Sequence, residues 1–212
     1  MCAEQIVTDI DNTILNSEPR LRRTLQQLGL EELLPELLAR YDGVKALLKP
    51  EEQELFYRLF LSERYLHLDE PLPGAAAALH ALKEAGYRIV YLTGRHDGPG
   101  DSMRSGTEAW LEEHGFPRPG DGSTLLWMKP RRGIDDRRFK EEALRALAKL
   151  GPLRAGIGDR PTDMEAYLSQ GMLAFLIRGD DRCPGDGLRP EPGRVAVVRD
   201  WLELQALFLS PR

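Results

Sequence analysis

The 212-residue chain has only two cysteines, Cys2 and Cys183, in unrelated contexts. They form neither a CxxC pair nor a Cys/His ligand spacing, which argues against a zinc site and a disulfide framework. Histidine is scarce as well: His67, His80, His96 and His114 show no ligand spacing. No apolar run approaches the ~20 residues of a membrane helix. The opening MCAEQIVTDID lacks the basic and long apolar regions of a leader peptide. Acids and bases nearly balance, 34 against 29, for a formal net charge of -5, so no overall basic field favours nucleic acid or membrane. The expectation is a soluble protein of the reducing cytoplasm, built as one compact body with a modest appendage.

What is present is a repeated pattern. Apolar runs that stop at polar, Gly-containing residues recur in IVTDID, YRIVYLTGR, LRAGIGDR and MLAFLI, with RVAVV (residues 194–198) as an edge-strand candidate. Between them lie helix-like stretches. PGAAAALHALKEAG, DSMRSGTEAWLEEHG, DDRRFKEEALRALAKLG and PTDMEAYLSQG each end at a glycine, and the last opens on Pro161. Alternating strands and helices predict an α/β fold, a Rossmann-like, mainly parallel sheet with helices on both faces. Ligands of such sheets sit beyond the carboxyl ends of the strands. The stretch from about Leu21 to Leu68 has no strand-like run, and EQELFYRLFLSERYL places Leu55, Phe56, Leu59, Phe60 and Tyr65 at helical spacing. It reads as an all-helical insertion between the first two strands. The Gly- and Pro-rich segments GRHDGPGD, FPRPGDG and GDDRCPGDGLRPEPG read as loops.

The strand ends carry acids. Asp9 and Asp11 share one strand parity, so both carboxylates point to one side just past the sheet edge, where they repel each other without a cation. A hard divalent ion such as Mg²⁺ answers that repulsion, since it accepts one or two carboxylates and completes its shell with water and phosphate oxygens. An aspartate can also attack phosphorus, and a second acid can protonate the leaving oxygen and then activate water. An Asx turn after a strand is the bland alternative. Thr93, in YLTGR, brings a hydroxyl and nearby N–H groups to a second strand end, with Gly94 as a turn. GDRPTD puts Asp159 after a third strand and Asp163 in the first turn of the helix opened by Pro161, where the helix dipole favours an acid in any case. A lysine suits as the compact cation beside a phosphoryl group. Lys129 in WMKP and Lys140 in RRFKEEAL both qualify.

Taken together, DIDNT, YLTGR, a lysine and GDRPTD, in that order, resemble the four motifs of the haloacid dehalogenase-like superfamily of phosphohydrolases. The resemblance implies Asp9 as nucleophile, Asp11 as acid/base, and Thr93 with Lys140 as phosphoryl stabilisers, Lys129 being the alternative. It places a Mg²⁺ site on Asp9, Asp11, Asp159 and Asp163, with Asn12, Gly94 and Arg95 as substrate contacts. It also implies a core at residues 1–16 and 72–212 and a helical cap at 17–71. The stretch from RRFK to SQG is similar to lipin-type phosphatase domains, and TGRHDGPGD…RRFK to phage-type polynucleotide 3′-phosphatases, both of which favour Lys140.

The reaction so implied is Mg²⁺-dependent hydrolysis of a small phosphorylated metabolite or nucleotide through an aspartyl-phosphate. A nucleic-acid 3′-phosphatase is the alternative, and it would use the basic run KPRRGIDDRRFK through Arg131, Arg132, Arg137 and Arg138. A phosphotransferase, or a module that only binds phospho-ligands, would keep the same residues. Specificity is expected from cap side chains such as Tyr41, Phe56 and Tyr57.

Overall fold

The computed structural model describes residues 3–40, 43–177 and 194–209. Tyr41, both cysteines and residues 179–193, read above as a loop, lie outside the described residues.

β1 (Gln5–Thr8) leads through a tight turn to β2 (Leu15–Asn16). The chain then runs in helices: α1 (Glu18–Leu28), α2 (Leu34–Leu38), α3 (Gly43–Leu47) and α4 (Pro50–Phe60), with 3₁₀ turns at Glu31–Leu33 and Glu63–Leu68. β3 (Glu70–Pro71) returns antiparallel to β2, Leu15 facing Pro71. The rest alternates: α5 (Ala75–Glu84), β4 (Arg88–Gly98), β5 (Asp101–Ser102), α6 (Arg104–Glu113), β6 (Thr124–Lys129), α7 (Asp136–Leu147), β7 (Leu153–Gly158), α8 (Pro161–Ser169), β8 (Leu173–Ile177), β9 (Val195–Val198) and α9 (Trp201–Leu209).

Six strands pair in parallel in the order β6-β4-β1-β7-β8-β9. Side-chain alternation distributes them between two cores. Ile6, Ile89, Tyr91, Ala155, Ile157, Phe175 and Ile177 pack on one face beneath α5, α6 and α9. Val7, Val90, Leu92, Ala174 and Leu176 pack on the other against Phe139, Leu144 and Leu147 of α7 and Met164 and Tyr167 of α8. The doubly covered parallel sheet follows the sequence reading, and RVAVV supplies one of its edge strands, β9.

Two local readings need correction. TLLWMK forms β6, a strand the sequence reading left out. Its Leu125, Leu126 and Trp127 are only partly buried because β6 is an edge, which blurs the apolar run. β4 also continues past Thr93 to Gly98, where its tip pairs antiparallel with β5, so GRHDGPGD is largely a hairpin rather than an open loop.

Between β2 and β3 the helices enclose a small core of their own: Leu25, Leu34, Leu37, Leu48 and Phe56. Among the described residues no helix is long and apolar enough to cross a membrane.

Candidate active site

The site lies where β1, β4 and β7 end. β1 stops at Thr8, and the Asp9 amide donates to the Ile157 carbonyl at 2.9 Å, anchoring Asp9 at the carboxyl edge beside β7. After β7, Asp159 follows Gly158 directly. Asp163, in the first turn of α8, leans back over Gly158, where a Cβ would come 2.7 Å from Asp163 Oδ2. Only glycine allows that approach. One carboxylate oxygen from each of Asp9, Asp159 and Asp163 lies within 4.8 Å of the others.

Lys140, from the second turn of α7, enters this group. Its Nζ donates to Asp163 Oδ1 at 2.7 Å and stands 3.1 Å from Asp9 Oδ2. Burial works against the ammonium charge, but Asp163 and Asp9 outweigh it and hold the lysine protonated. Two cations, Lys140 and Arg160, act on these three acids and leave one negative charge over. Burial pushes the Asp9 carboxyl up to about 6, with Lys140 opposing and Asp163 and Asp11 adding to the rise. Burial likewise takes Asp159 up to about 7 against the pull of Arg160. Asp9 Oδ1 and Asp163 Oδ2 are buried with no hydrogen-bond partner among the described residues. A buried carboxylate oxygen left in this way is costly. A hard divalent cation, which binds oxygen donors, fits both the unmatched oxygens and the excess charge.

The second lysine is engaged elsewhere. Lys129 Nζ donates to the Ile134 carbonyl at 2.7 Å and pairs with Asp136 Oδ1 at 2.5 Å, closing the loop between β6 and α7. Lys140, and not Lys129, therefore reaches Asp9.

Asp11 does not join the three clustered acids. Its Oδ1 accepts from Arg95 Nη2 at 2.9 Å and from Arg20 Nη2, and its Oδ2 accepts from Arg95 Nε at 3.0 Å. Burial would raise its pKa, but the guanidiniums of Arg95 and Arg20 hold the carboxyl well below the usual range. As a side-chain ligand of the clustered metal position, Asp11 is out of place here.

The three sequence-based substrate contacts fare unevenly. Arg95 is fully buried, its remaining donors on Asp69 Oδ2 at 3.1 Å and Thr107 Oγ1 at 3.1 Å, so no open face is left for a substrate. Asn12 adopts φ 57°, a left-handed conformation that asparagine tolerates, and its Oδ1 accepts from Ser17 N at 3.1 Å and Ser17 Oγ at 2.8 Å. It shapes the turn out of the sheet. Gly94 sits beneath Asp136, whose Oδ1 would lie 2.7 Å from a Cβ there. Thr93 is buried at the β4 position after Leu92, and its Oγ1 accepts from the Arg95 amide at 3.2 Å.

In the insertion, Phe56 belongs to the local core and is 2% exposed, which removes it as a substrate contact. Tyr57 is different. Burial raises its hydroxyl pKa, with Arg160 and Asp136 as the charges that act on it, so it stands within electrostatic reach of the site.

Sequence reasoning missed Arg20, Asp69 and Asp136. Arg20 sits among the charges of PRLRR and reads as a solvated helix face, and Asp69 in HLDEP reads as a loop acid. No spacing links either to Asp11. Only the β2–β3 crossing brings them together.

The family model for haloacid dehalogenase-like hydrolases matches residues 4–169. The chain belongs to this family. A phosphoglycolate phosphatase of Aquifex aeolicus (strain VF5) is 30% identical to this hydrolase over 104 residues, covering 42% of the chain and 48% of the relative. The match thus spans about half of that relative's length. Among solved structures, the haloacid dehalogenase-like family protein SP0104 of Streptococcus pneumoniae superposes with a TM-score of 0.69 at 16% identity, over 97% of this chain and 98% of that one. A predicted phosphoglycolate phosphatase of Haemophilus somnus 129pt gives 0.62 at 16% identity over 97% and 98%. Protein Tyrosine Kinase A of Mycobacterium tuberculosis gives 0.65 at 20% identity over 95% and 96%. At such identities the superpositions establish the fold alone. The comparisons carry the superfamily; they do not show its lipin-type or polynucleotide 3′-phosphatase branch.

Proposed function

We propose that this hydrolase cleaves phosphomonoesters through an aspartyl-phosphate on Asp9, with Mg²⁺ held by Asp9, Asp159 and Asp163. One observation carries the reading: Asp9 stands among two further acids and Lys140 with one carboxylate oxygen unpartnered. Bound Mg²⁺ would supply charge neutralisation for the acids and for the phosphoryl oxygens.

The chain's own residues do the rest. Lys140 holds Asp9 Oδ2 and fixes the carboxylate at the strand end. An Asp9 oxygen bonds to phosphorus as the bond to the leaving oxygen breaks, and Asp11, ionised between Arg95 and Arg20 in the resting site, takes up a proton from solvent on release from them and delivers it to that oxygen. Water then attacks phosphorus, Asp11 takes its proton, and the bond to Asp9 breaks, releasing phosphate and restoring both acids. Lys140 and the Thr93 region spread the charge of the phosphoryl group in transit.

A small phosphorylated metabolite or nucleotide is the substrate class. The helical insertion at 17–71 serves as a cap, and Tyr57 is the side chain by which it bears on specificity. The relative's activity puts 2-phosphoglycolate first among the compounds to test. Charge at α7 favours a small substrate over a nucleic-acid end. Arg137 pairs with Glu141 at 3.1 Å and Glu165 at 2.8 Å, and Arg138 pairs with Glu142 at 2.9 Å, so the run RRFKEE carries no uncompensated basic stripe.

The test is phosphate release from 2-phosphoglycolate, sugar phosphates, nucleotides, a 3′-phosphorylated oligonucleotide and an aryl phosphate, with and without Mg²⁺. Native protein should turn over at least one of them only with Mg²⁺, and Asp9→Asn should lose about 10³-fold or more. Equal turnover by Asp9→Asn would overturn the proposal.

A further inference from the structure

The amino edge of the sheet, opposite the clustered acids, carries a cleft of about 400 Å³. Its walls are Tyr87, just before β4, Leu173 and Phe175 of β8, and Leu207 and Phe208 near the end of α9. The rings brace one another: the Phe208 centroid lies 5.1 Å from that of Phe175 and 6.1 Å from that of Tyr87. The volume falls in the roughly 300–1,000 Å³ range of small-molecule pockets. Two charged residues complete the lining, Glu4 just before β1 and Arg154 in β7.

Arg154 reaches the cleft because β7 is irregular. Leu153 faces Gln5 of β1 and Ala155 faces the next residue, Ile6, so Arg154 is one residue too many for its partner strand. A bulge of this kind re-aims a side chain. Leu153 packs on the α7 side of the sheet and Ala155 on the α9 side. Arg154 lies with Ala155 on the α9 side, among Phe175 and Phe208, where strict alternation would put it on the other face.

The guanidinium gains no protein partner from this placement. Its Nε is buried without a hydrogen bond, and no carboxylate among the described residues forms an ion pair with it. Glu4, exposed in the same cleft, has no ion pair among them either. A buried donor left unpaired is costly, and an apolar side chain would line the same wall without that cost. Two opposite charges thus share one aromatic cleft without meeting.

We propose that the cleft binds a small zwitterion with an aromatic body, the chemistry of an aromatic α-amino acid. The carboxylate takes the Arg154 fork, the ammonium takes Glu4, and the ring fills the space against Phe175 and Phe208. Glu4 disfavours a dianion such as a phosphate monoester, so the ligand differs in kind from the substrate of the reacting centre at the other edge of the sheet.

Calorimetric titration of the full chain with L-phenylalanine and L-tryptophan tests this, beside 3-phenylpropanoate, which lacks the ammonium. At least one of the amino acids should bind, one molecule per chain, and 3-phenylpropanoate should bind more weakly. Arg154→Met should weaken the amino acid about tenfold or more, and Glu4→Gln should weaken it while leaving 3-phenylpropanoate unchanged. Asp9→Asn should bind it as the native chain does. Because Glu4 is exposed, Glu4→Gln keeps the test decisive if the melting midpoint shows that Arg154→Met does not fold. No binding of either amino acid, or binding that Glu4→Gln or a folded Arg154→Met leaves unchanged, would overturn the proposal. So would loss of binding in Asp9→Asn, or a dimer in sedimentation that Leu207→Ser dissociates, since the cleft would then receive a second copy of the chain.

Discussion

At the scale of single residues, the site is a problem in charge. Lys140 neutralises one of three clustered carboxylates, and its removal strands Asp163 Oδ1 and Asp9 Oδ2 without a donor. Lys140→Met should therefore lose both activity and stability, and added Mg²⁺ should restore part of the stability but little of the turnover. Thermal melts with and without Mg²⁺ check the first half and phosphate release the second. Gly158→Ala is a second test. Its Cβ would meet Asp163 Oδ2 at 2.7 Å and Asp163 Cβ at 2.9 Å, so the carboxylate must move. Mg²⁺ affinity should fall by about tenfold or more, read by calorimetric titration, while the fold survives.

The same scale shows what could be read from the chain and what could not. Asp9, Asp159 and Asp163, whose carboxylates come together in the structure, were legible because Asp9 and Asp159 follow strand-like runs and Asp163 lies in the first turn of the helix that comes next. Arg95 was legible as important but not in its role, since the sequence places it next to Thr93 without saying which way it turns. Arg20 and Asp69 were illegible, because their significance lies in meeting each other across 49 residues of chain. Lys140 against Lys129 was open in the residues alone. The hydrogen bond from Lys129 to the Ile134 carbonyl is what removes it from the site.

At the scale of elements, close packing of α8 on β7 seats the acids. A Cβ on Gly156 would fall 2.1 Å from the Tyr167 ring, and Tyr167 is itself fixed by its hydroxyl, which donates to the Ile157 carbonyl at 3.1 Å. Gly156→Ala should destabilise the fold by about 1–3 kcal/mol or more by overpacking, measured by denaturant titration. Because α8 carries Asp163, the same variant should weaken Mg²⁺ binding. The alternation of strand and helix was plain in the sequence because doubly covered parallel strands are near-continuous apolar runs. β6 escaped for the opposite reason: on an edge, with partly buried side chains, it carries a weaker version of that signal.

For the whole molecule, the raised carboxyls link stability to pH. Asp9, at about 6, and Asp159, at about 7, bind protons more tightly folded than unfolded, where the value is 3.8. Their contribution to stability is full below that unfolded value and is lost as pH rises through the folded values, so this contribution in metal-free protein falls between about pH 4 and about pH 7. Mg²⁺ binds the ionised acids and should reverse the loss. The Mg²⁺-induced rise in melting temperature should be small at about pH 5 and clearly larger at about pH 8. A rise independent of pH would show that the metal binds elsewhere.

The central claim is that Asp9 carries the phosphoryl group. Acid quenching during steady turnover on the best substrate, followed by peptide mass mapping, reads it directly. A phosphoryl group on the peptide containing Asp9, removed by hydroxylamine and absent in Asp9→Asn, is the expected result. Rapid turnover with no phosphoryl group on that peptide, or with one on another residue, would contradict the account.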